Sequence, residues 1–283
     1  DYTSGANDIR DKVLRLIGDA DQRLREDPVR MLRAVRFAAK LDFRMAEDVA
    51  AGIAEHAELL ANVPAARLFD EFLKLFQSGH AERTFLLLRE HGLFGQMFPA
   101  TEAEIVADEA FLNFIMAALR NTDRRVASGK SVTPMFLIGV FMWAPTWRLA
   151  ADLRSREKMS ESQSLSLASY ELVAEQQRRI AIPRRFTVPM REMLALQPRF
   201  TVTRGKRAMN FLEHRRFRAA YDFMVLLTEV GQFDEQLMGF WTDVQCQSRD
   251  DRAESFQLHS KPRTSGPRRR RRGRRRSKPD ASS

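Results

Sequence analysis

Apolar residues return at intervals of three and four along most of this chain. Examples are AEDVAAGIAEHAELLANV, AARLFDEFLKLFQSG, ERTFLLLREHGLF, EAFLNFIMAALRN, YELVAEQQRRIAI and FRAAYDFMVLLTEV. That spacing lines one face of an α-helix, whereas a half-buried strand needs strict alternation, and alternating β-branched runs are few. The expected fold class is therefore all-α. The punctuation agrees: Gly79 and Gly92 stand where helices should end, and Thr101 with Glu104 and Ser160 with Gln163 have capping-box spacing. A softer stretch, NTDRRVASGKS from Asn121 to Ser131, divides an N-terminal helical block from a longer C-terminal one, and no internal repeat recurs at a fixed period. With 283 residues, 44% of them hydrophobic, the chain is long enough to bury one core or two.

Several function classes are excluded or left without support. The longest apolar run, MFLIGVFMWA from Met135 to Ala144, ends at Pro145 and is half of the about 20 residues that span a bilayer. It reads as a buried core helix. The single cysteine, Cys246, rules out an internal disulfide and a Cys-based zinc site, and fits a reducing compartment. The histidines (His56, His80, His91, His214 and His259) are scattered, and neither a His-Glu-x-x-His, a Gly-x-Ser-x-Gly nor a Walker loop is present. GDAD at Gly18–Asp21 has the spacing with which two carboxylates clamp a divalent metal. It leads into a helix entrance with no Gly-Ser partner upstream, so it reads as a turn and cap.

The formal charge of +10 is not spread evenly: eleven Lys and Arg residues and no acid lie between Lys261 and Lys278, leaving the rest of the chain close to neutral. This arginine-rich tail has Pro, Gly and Ser but no apolar residue, so it is expected to be disordered. Its cations Arg268, Arg269, Arg270, Arg271, Arg272, Arg274, Arg275 and Arg276 suit nucleic acid. The other readings of such a tract are a solubilising tail or an acidic partner other than RNA.

The segment RLREDPVRMLRAVRFAAKL, Arg23 to Leu41, carries the sharpest pattern. Pro28 suits the first position of a helix and Asp27 before it suits the N-cap. On a helical wheel Met31, Leu32, Val35, Ala38 and Ala39 share one side, with Arg30, Arg33, Arg36 and Lys40 opposite. One reading is a solvated cationic face. The other starts from the acids Glu26 and Asp27 beside that stripe and the free N–H groups of a first turn, which together suit a polar, phosphorylated ligand such as a nucleotide.

With these residues in view the chain resembles the class II nucleotidyltransferase superfamily, in its bacterial poly(A) polymerase I branch; the superfamily also contains the tRNA CCA-adding enzymes. The resemblance rests on DYTSGANDIRDKVLRLIGDADQRLREDPVRMLRAVRFAAKL, with the Glu-Asp-x-x-Arg element as Glu26, Asp27 and Arg30. It continues in NVPAARLFDEFLKLFQSGH, IAIPRRFTVPMREMLALQPRF, GKRAMNFLEHRRFRAAYDFMVLL and the arginine-rich end. It implies the end of a catalytic head and a linker at 1–22, a nucleotide- and RNA-binding neck at 23–120, a helical body at 121–248 and the tail at 249–283. It implies polyadenylation of RNA 3′ ends from ATP in the bacterial cytoplasm, with Mg²⁺ held by a head domain expected to precede Asp1, so that no catalytic residue lies in this chain. Asp27 and Arg30 would then read the incoming base, with Glu26, Arg23 and Arg33 supporting them or meeting the triphosphate. Arg36, Lys40 and the tail arginines would meet RNA, and the implied protein partners are an RNA helicase or the RNA-degradation machinery. Two alternatives stay open, a head-less RNA-binding module and a fragment of a tRNA CCA-adding enzyme.

Overall fold

The structure, a computed structural model, describes residues 5–257. In chain order it holds α1 (Gly5–Arg10), β1 (Val13–Leu14), α2 (Ala20–Glu26), α3 (Val29–Leu41), β2 (Arg44–Met45), α4 (Glu47–His56), a 3-10 turn (Ala57–Asn62), α5 (Ala65–Phe76), α6 (Ala81–Glu90), α7 (Leu93–Met97) and α8 (Pro99–Ala107). Then follow α9 (Glu109–Ala127), α10 (Pro134–Glu157), α11 (Glu161–Gln176), α12 (Arg184–Ala195), a second 3-10 turn (Gln197–Thr201), α13 (Gly205–Phe211), α14 (Phe217–Glu229), α15 (Glu235–Cys246) and α16 (Arg249–Ser255). The class is all-α as the periodicity implies. The one strand pairing among the described residues is parallel, Val13 opposite Arg44 and Leu14 opposite Met45, too short to show as alternation in the sequence. It pins the chain entering α2 beside the chain leaving α3.

Buried apolar side chains form one connected core that runs from Val13 to Phe256. At its centre Phe141 of α10 lies 5.1 Å from Phe76, 5.3 Å from Phe94 and 5.1 Å from Phe98, ring centre to ring centre, mostly in tilted or edge-on contact. Gly139, two residues before it, admits α12: a Cβ there would stand 2.5 Å from Met193 Cε. A second aromatic group surrounds Trp241, whose indole N–H donates to the Phe200 carbonyl at 2.7 Å.

Three local findings extend or correct the sequence reading. The helix begun by MFLIGVFMWA does not stop at Pro145 but continues through it to Glu157. Proline has no N–H to give the carbonyl four residues back, which is that of Phe141, and the hydroxyl of Thr101 supplies the missing hydrogen bond at 2.9 Å. Thr101 is consequently no cap. Pro99 starts α8 two residues earlier, at the position its fixed φ favours, so Thr101 is buried inside the helix and Glu104 pairs with Arg148. The third concerns the softer stretch from Asn121, where α9 in fact runs on to Ala127. Asp123 of that stretch caps α6 from outside, its carboxylate accepting from the backbone N–H of Ala81 at 2.7 Å and of Glu82 at 3.1 Å. The Ser160–Gln163 capping box forms in both directions, and Gly79 and Gly92 take the positive φ of +84° and +69° that ends α5 and α6. Among the described residues no helix is long and apolar enough to cross a membrane.

Candidate functional site

The site expected at Arg23–Lys40 is built on a broken helix. Asp19 starts α2 by accepting from the Gln22 N–H at 2.8 Å, and α2 ends where Asp27 turns extended, with φ −145° and ψ 90°. Pro28 explains the break, because the residue before proline is pushed out of the helical region. The Asp27 carbonyl accepts from Arg30 N at 2.9 Å, and α3 is under way from Val29. Asp27 thus has the extended backbone of an N-cap, yet its carboxylate does not cap. Oδ2 accepts instead from Arg67 of α5 at 3.0 Å, a charge-assisted bond that outcompetes a neutral N–H.

The core face of α3 holds the five residues expected, joined by Val29 and Ala34. On the opposite side the cations divide. Arg33 and Lys40 are exposed, while Arg30 and Arg36 are partly buried. Asp27 Oδ1, Arg30 Nε and Arg36 Nε are shielded from water without a hydrogen-bond partner. A donor and an acceptor three residues apart are therefore held unpaired at one helix entrance, an arrangement that costs free energy unless something completes it. Arg36 also lies over the ring of its neighbour Phe37, 4.8 Å from its centre.

The remaining expected residues are engaged within the protein. Arg23 donates to Glu26 at 3.2 Å and to the Ile17 carbonyl at 3.3 Å, while Gln22 donates to Glu26 at 2.9 Å. Arg33 stands 3.6 Å from Glu71 of α5, which Lys74 also contacts at 2.9 Å, the ion-pairing arrangement available to a neck arginine. The arginines at 268–272 and 274–276 lie outside the described residues.

Two neighbours of the candidate site were not found from the sequence. Glu71 is only 2% exposed, and its signal was present: it sits between Leu68 and Leu75 on the apolar side of α5, where an acid needs a reason. Arg67 had no such signal, because its partner Asp27 is forty residues away.

GDAD behaves as a turn and cap. Asp19 is committed to α2, and Asp21 binds Arg25 and His56, the hydrogen bond from His56 holding its carboxyl below the ordinary range. His56 is thereby a largely buried link between α4 and α2, and Glu55 lies beside the pair. Magnesium prefers a shell of oxygen ligands with several waters. An aspartate already spent on a helix cap and another held by an arginine and a histidine do not fit that demand, so no metal step is assigned to these residues.

The arrangement can bind a planar group with one donor and one acceptor edge beside a cationic surface. The family described as "Polymerase A arginine-rich C-terminus" matches residues 157–277, and "Probable RNA and SrmB-binding site of polymerase A" matches residues 42–105. Poly(A) polymerase I of Escherichia coli is 40% identical over 255 residues, which is 89% of this chain and 55% of that protein. The chain thus spans about half the length of that relative. The CCA-adding enzyme of Geobacillus stearothermophilus is 41% identical over 93 residues, or 33% of this chain and 23% of that enzyme. Among solved structures, the Thermotoga maritima CCA-adding enzyme complexed with tRNA shares the fold, with a TM-score of 0.56 at 16% identity over 86% of this chain and 53% of that one.

Proposed function

As a homologue of the bacterial poly(A) polymerases I, this chain, we propose, selects ATP and holds RNA for the template-independent addition of AMP to RNA 3′-hydroxyls in the bacterial cytoplasm. The observation that carries this reading is the unpaired couple of Asp27 Oδ1 and Arg30 Nε at the α2–α3 break. An adenine edge offers an amine donor beside a ring-nitrogen acceptor, the complement of a carboxylate oxygen beside a guanidinium N–H. Arg67, by holding Oδ2, fixes the plane of the Asp27 carboxylate, and the Arg23–Glu26 pair braces the end of α2. Glu71, which also pairs with Lys74, holds Arg33 at the rim, where its exposed side can meet the triphosphate. Arg36 and Lys40 continue the cationic side toward RNA, with the tail arginines beyond. ATP is the substrate, and the divalent metal of the chemistry belongs to residues other than those described.

The neck at 23–120 and the body at 121–248 are proposed as the working divisions. Residues 42–105, whose family description names RNA and SrmB together, are the proposed ground for a protein partner, an RNA helicase or a member of the RNA-degradation machinery. The adenylating reading is favoured over the CCA-adding one because similarity to the polymerase extends over 89% of the chain and similarity to the CCA-adding enzyme over 33%. RNA binding measured against salt tests it. On single strands each cation that meets a phosphate should add about 0.7 to the log–log slope, so truncation before Lys261 should flatten that slope. An unchanged slope removes the tail from the RNA contact, and salt-independent or absent binding contradicts the reading as a whole.

A further inference from the structure

A cleft of about 410 Å³, none of whose lining residues comes from α2 or α3, lies between α8, α10, the 3-10 turn at Gln197–Thr201 and the chain that follows α14. That is within the size range of small-ligand sites. Its walls are aromatic: Phe111, Trp143, Trp147 and Phe233. The rings of Trp143 and Trp147 stand 5.1 Å apart at 38°. Trp143 and Trp241 are buried, whereas Trp147 is 40% exposed, so an exposed indole face, with the Arg154 guanidinium 5.9 Å from its ring centre, borders the cleft. Such a face is a platform for a second planar ring.

The polar groups at the cleft narrow the ligand. Gln197 is 4% exposed, and its amide nitrogen donates to the carbonyls of Met193 and Ala220, both at 3.2 Å. Those two bonds fix the amide orientation and leave Oε1, shielded from water, as an acceptor with no partner. Arg148 is engaged with Glu104, whose carboxyl burial pushes above its ordinary range against the pull of that arginine. Asp108 and Glu161 also border the cleft. Three acids, Glu104, Asp108 and Glu161, face one base, Arg148, at the cleft, which suits a neutral ring bearing an amine and does not suit a phosphate.

We infer that this cleft takes one adenine base of an RNA strand, stacked on Trp147 with its exocyclic amine toward Gln197 Oε1. The inference rests on the RNA-handling function proposed above and adds to it a base contact that belongs to the strand rather than to the incoming nucleotide. A polymerase that must hold a growing adenosine tail gains from such a contact, because a stacked base restrains the strand where phosphate contacts alone let it slide.

The test uses the full chain, short oligo(A), oligo(U) and an abasic oligomer of equal length, read by binding at fixed salt and by acrylamide quenching of tryptophan fluorescence. Oligo(A) should shield the chain from acrylamide, and the abasic oligomer should not. Trp147→Leu should abolish the shielding and weaken oligo(A) binding about 10-fold, toward the abasic level, with the salt slope unchanged. Trp147→Phe should keep most of the affinity, oligo(U) should bind more weakly than oligo(A), and thermal unfolding should show all variants folded. Parental oligo(A) affinity in Trp147→Leu, or equal shielding by the abasic oligomer, overturns the inference while leaving the proposed function standing. Failure of every oligomer to bind removes both.

Discussion

Pro28 and Pro145 each deprive a helix of a backbone donor, and the chain treats them in opposite ways. Pro145 lies inside α10, where the carbonyl it deprives, that of Phe141, receives a replacement hydrogen bond from Thr101 of α8. Pro28 lies at the start of α3, where the chain breaks at Asp27 and two buried polar atoms, Asp27 Oδ1 and Arg30 Nε, are left unpaired. The first is embedded among phenylalanines and the second borders a cationic surface. A donor lost to proline in a core must be resupplied by the protein. At the edge of a proposed binding site, unpaired side-chain atoms such as Asp27 Oδ1 and Arg30 Nε can be left for a ligand to fill. The contrast separates a region that serves stability from one proposed to serve recognition, and mutations should respect the separation.

The largest effect should come from Phe141→Ala, which removes the ring at the centre of the aromatic cluster and should lower stability by about 3–5 kcal/mol in denaturant titration. Nucleotide preference should survive in the fraction that folds. Thr101→Val should follow at about 1–3 kcal/mol, because it leaves the Phe141 carbonyl buried without a partner. That loss should shrink in a Pro145→Ala background, where the restored N–H of residue 145 can reach the Phe141 carbonyl; an equal loss in both backgrounds would break the proposed link between Pro145 and Thr101.

At the other proline the pattern should reverse. Asp27→Asn weakens a partly exposed ion pair with Arg67 and should change stability by less than about 1 kcal/mol, while lowering the preference for ATP. A large drop in stability with parental preference would move Asp27 from the recognition region to the supporting one.

The smallest effect concerns His214, whose Nδ1 accepts from the Arg216 N–H at 3.1 Å and whose pKa is held below its ordinary value of 6.5, chiefly by burial. The unfolded chain then takes up the proton first, so acidification below 6.5 should favour unfolding until the folded imidazole also charges. His214→Gln should flatten that part of the stability profile, and an unchanged profile would show that the folded state protonates as readily as the unfolded.

What could be read in advance divides along the same line. The core face of α3 followed from spacing alone, since Met31, Leu32, Val35, Ala38 and Ala39 needed no knowledge of their neighbours. The break at Pro28 was also legible, because the restriction on the preceding residue is local. The destination of the Asp27 carboxylate was not, because Arg67 reaches it from another helix, and a free N–H at the helix start was the only partner in sequence view. The same limit hid the Thr101–Phe141 bond: proline announces a missing donor, but the residue that replaces it comes from forty positions away. Glu71 lay between these cases, visible as an acid on an apolar face, with its cationic partners set by how α3 meets α5.

The most direct test of the proposed role of the α2–α3 break is the ATP-to-CTP ratio of kcat/KM in the proposed head-containing polymerase, compared between the parent and Arg30→Ala. Loss of the Arg30 N–H leaves Asp27 and the adenine edge incompletely paired, a deficit of about 1–3 kcal/mol, so discrimination should fall by roughly 5- to 150-fold while the variant remains folded. A folded variant that keeps the parental ratio would contradict the reading, and would assign Arg30 to support of the helix entrance rather than to recognition of the base.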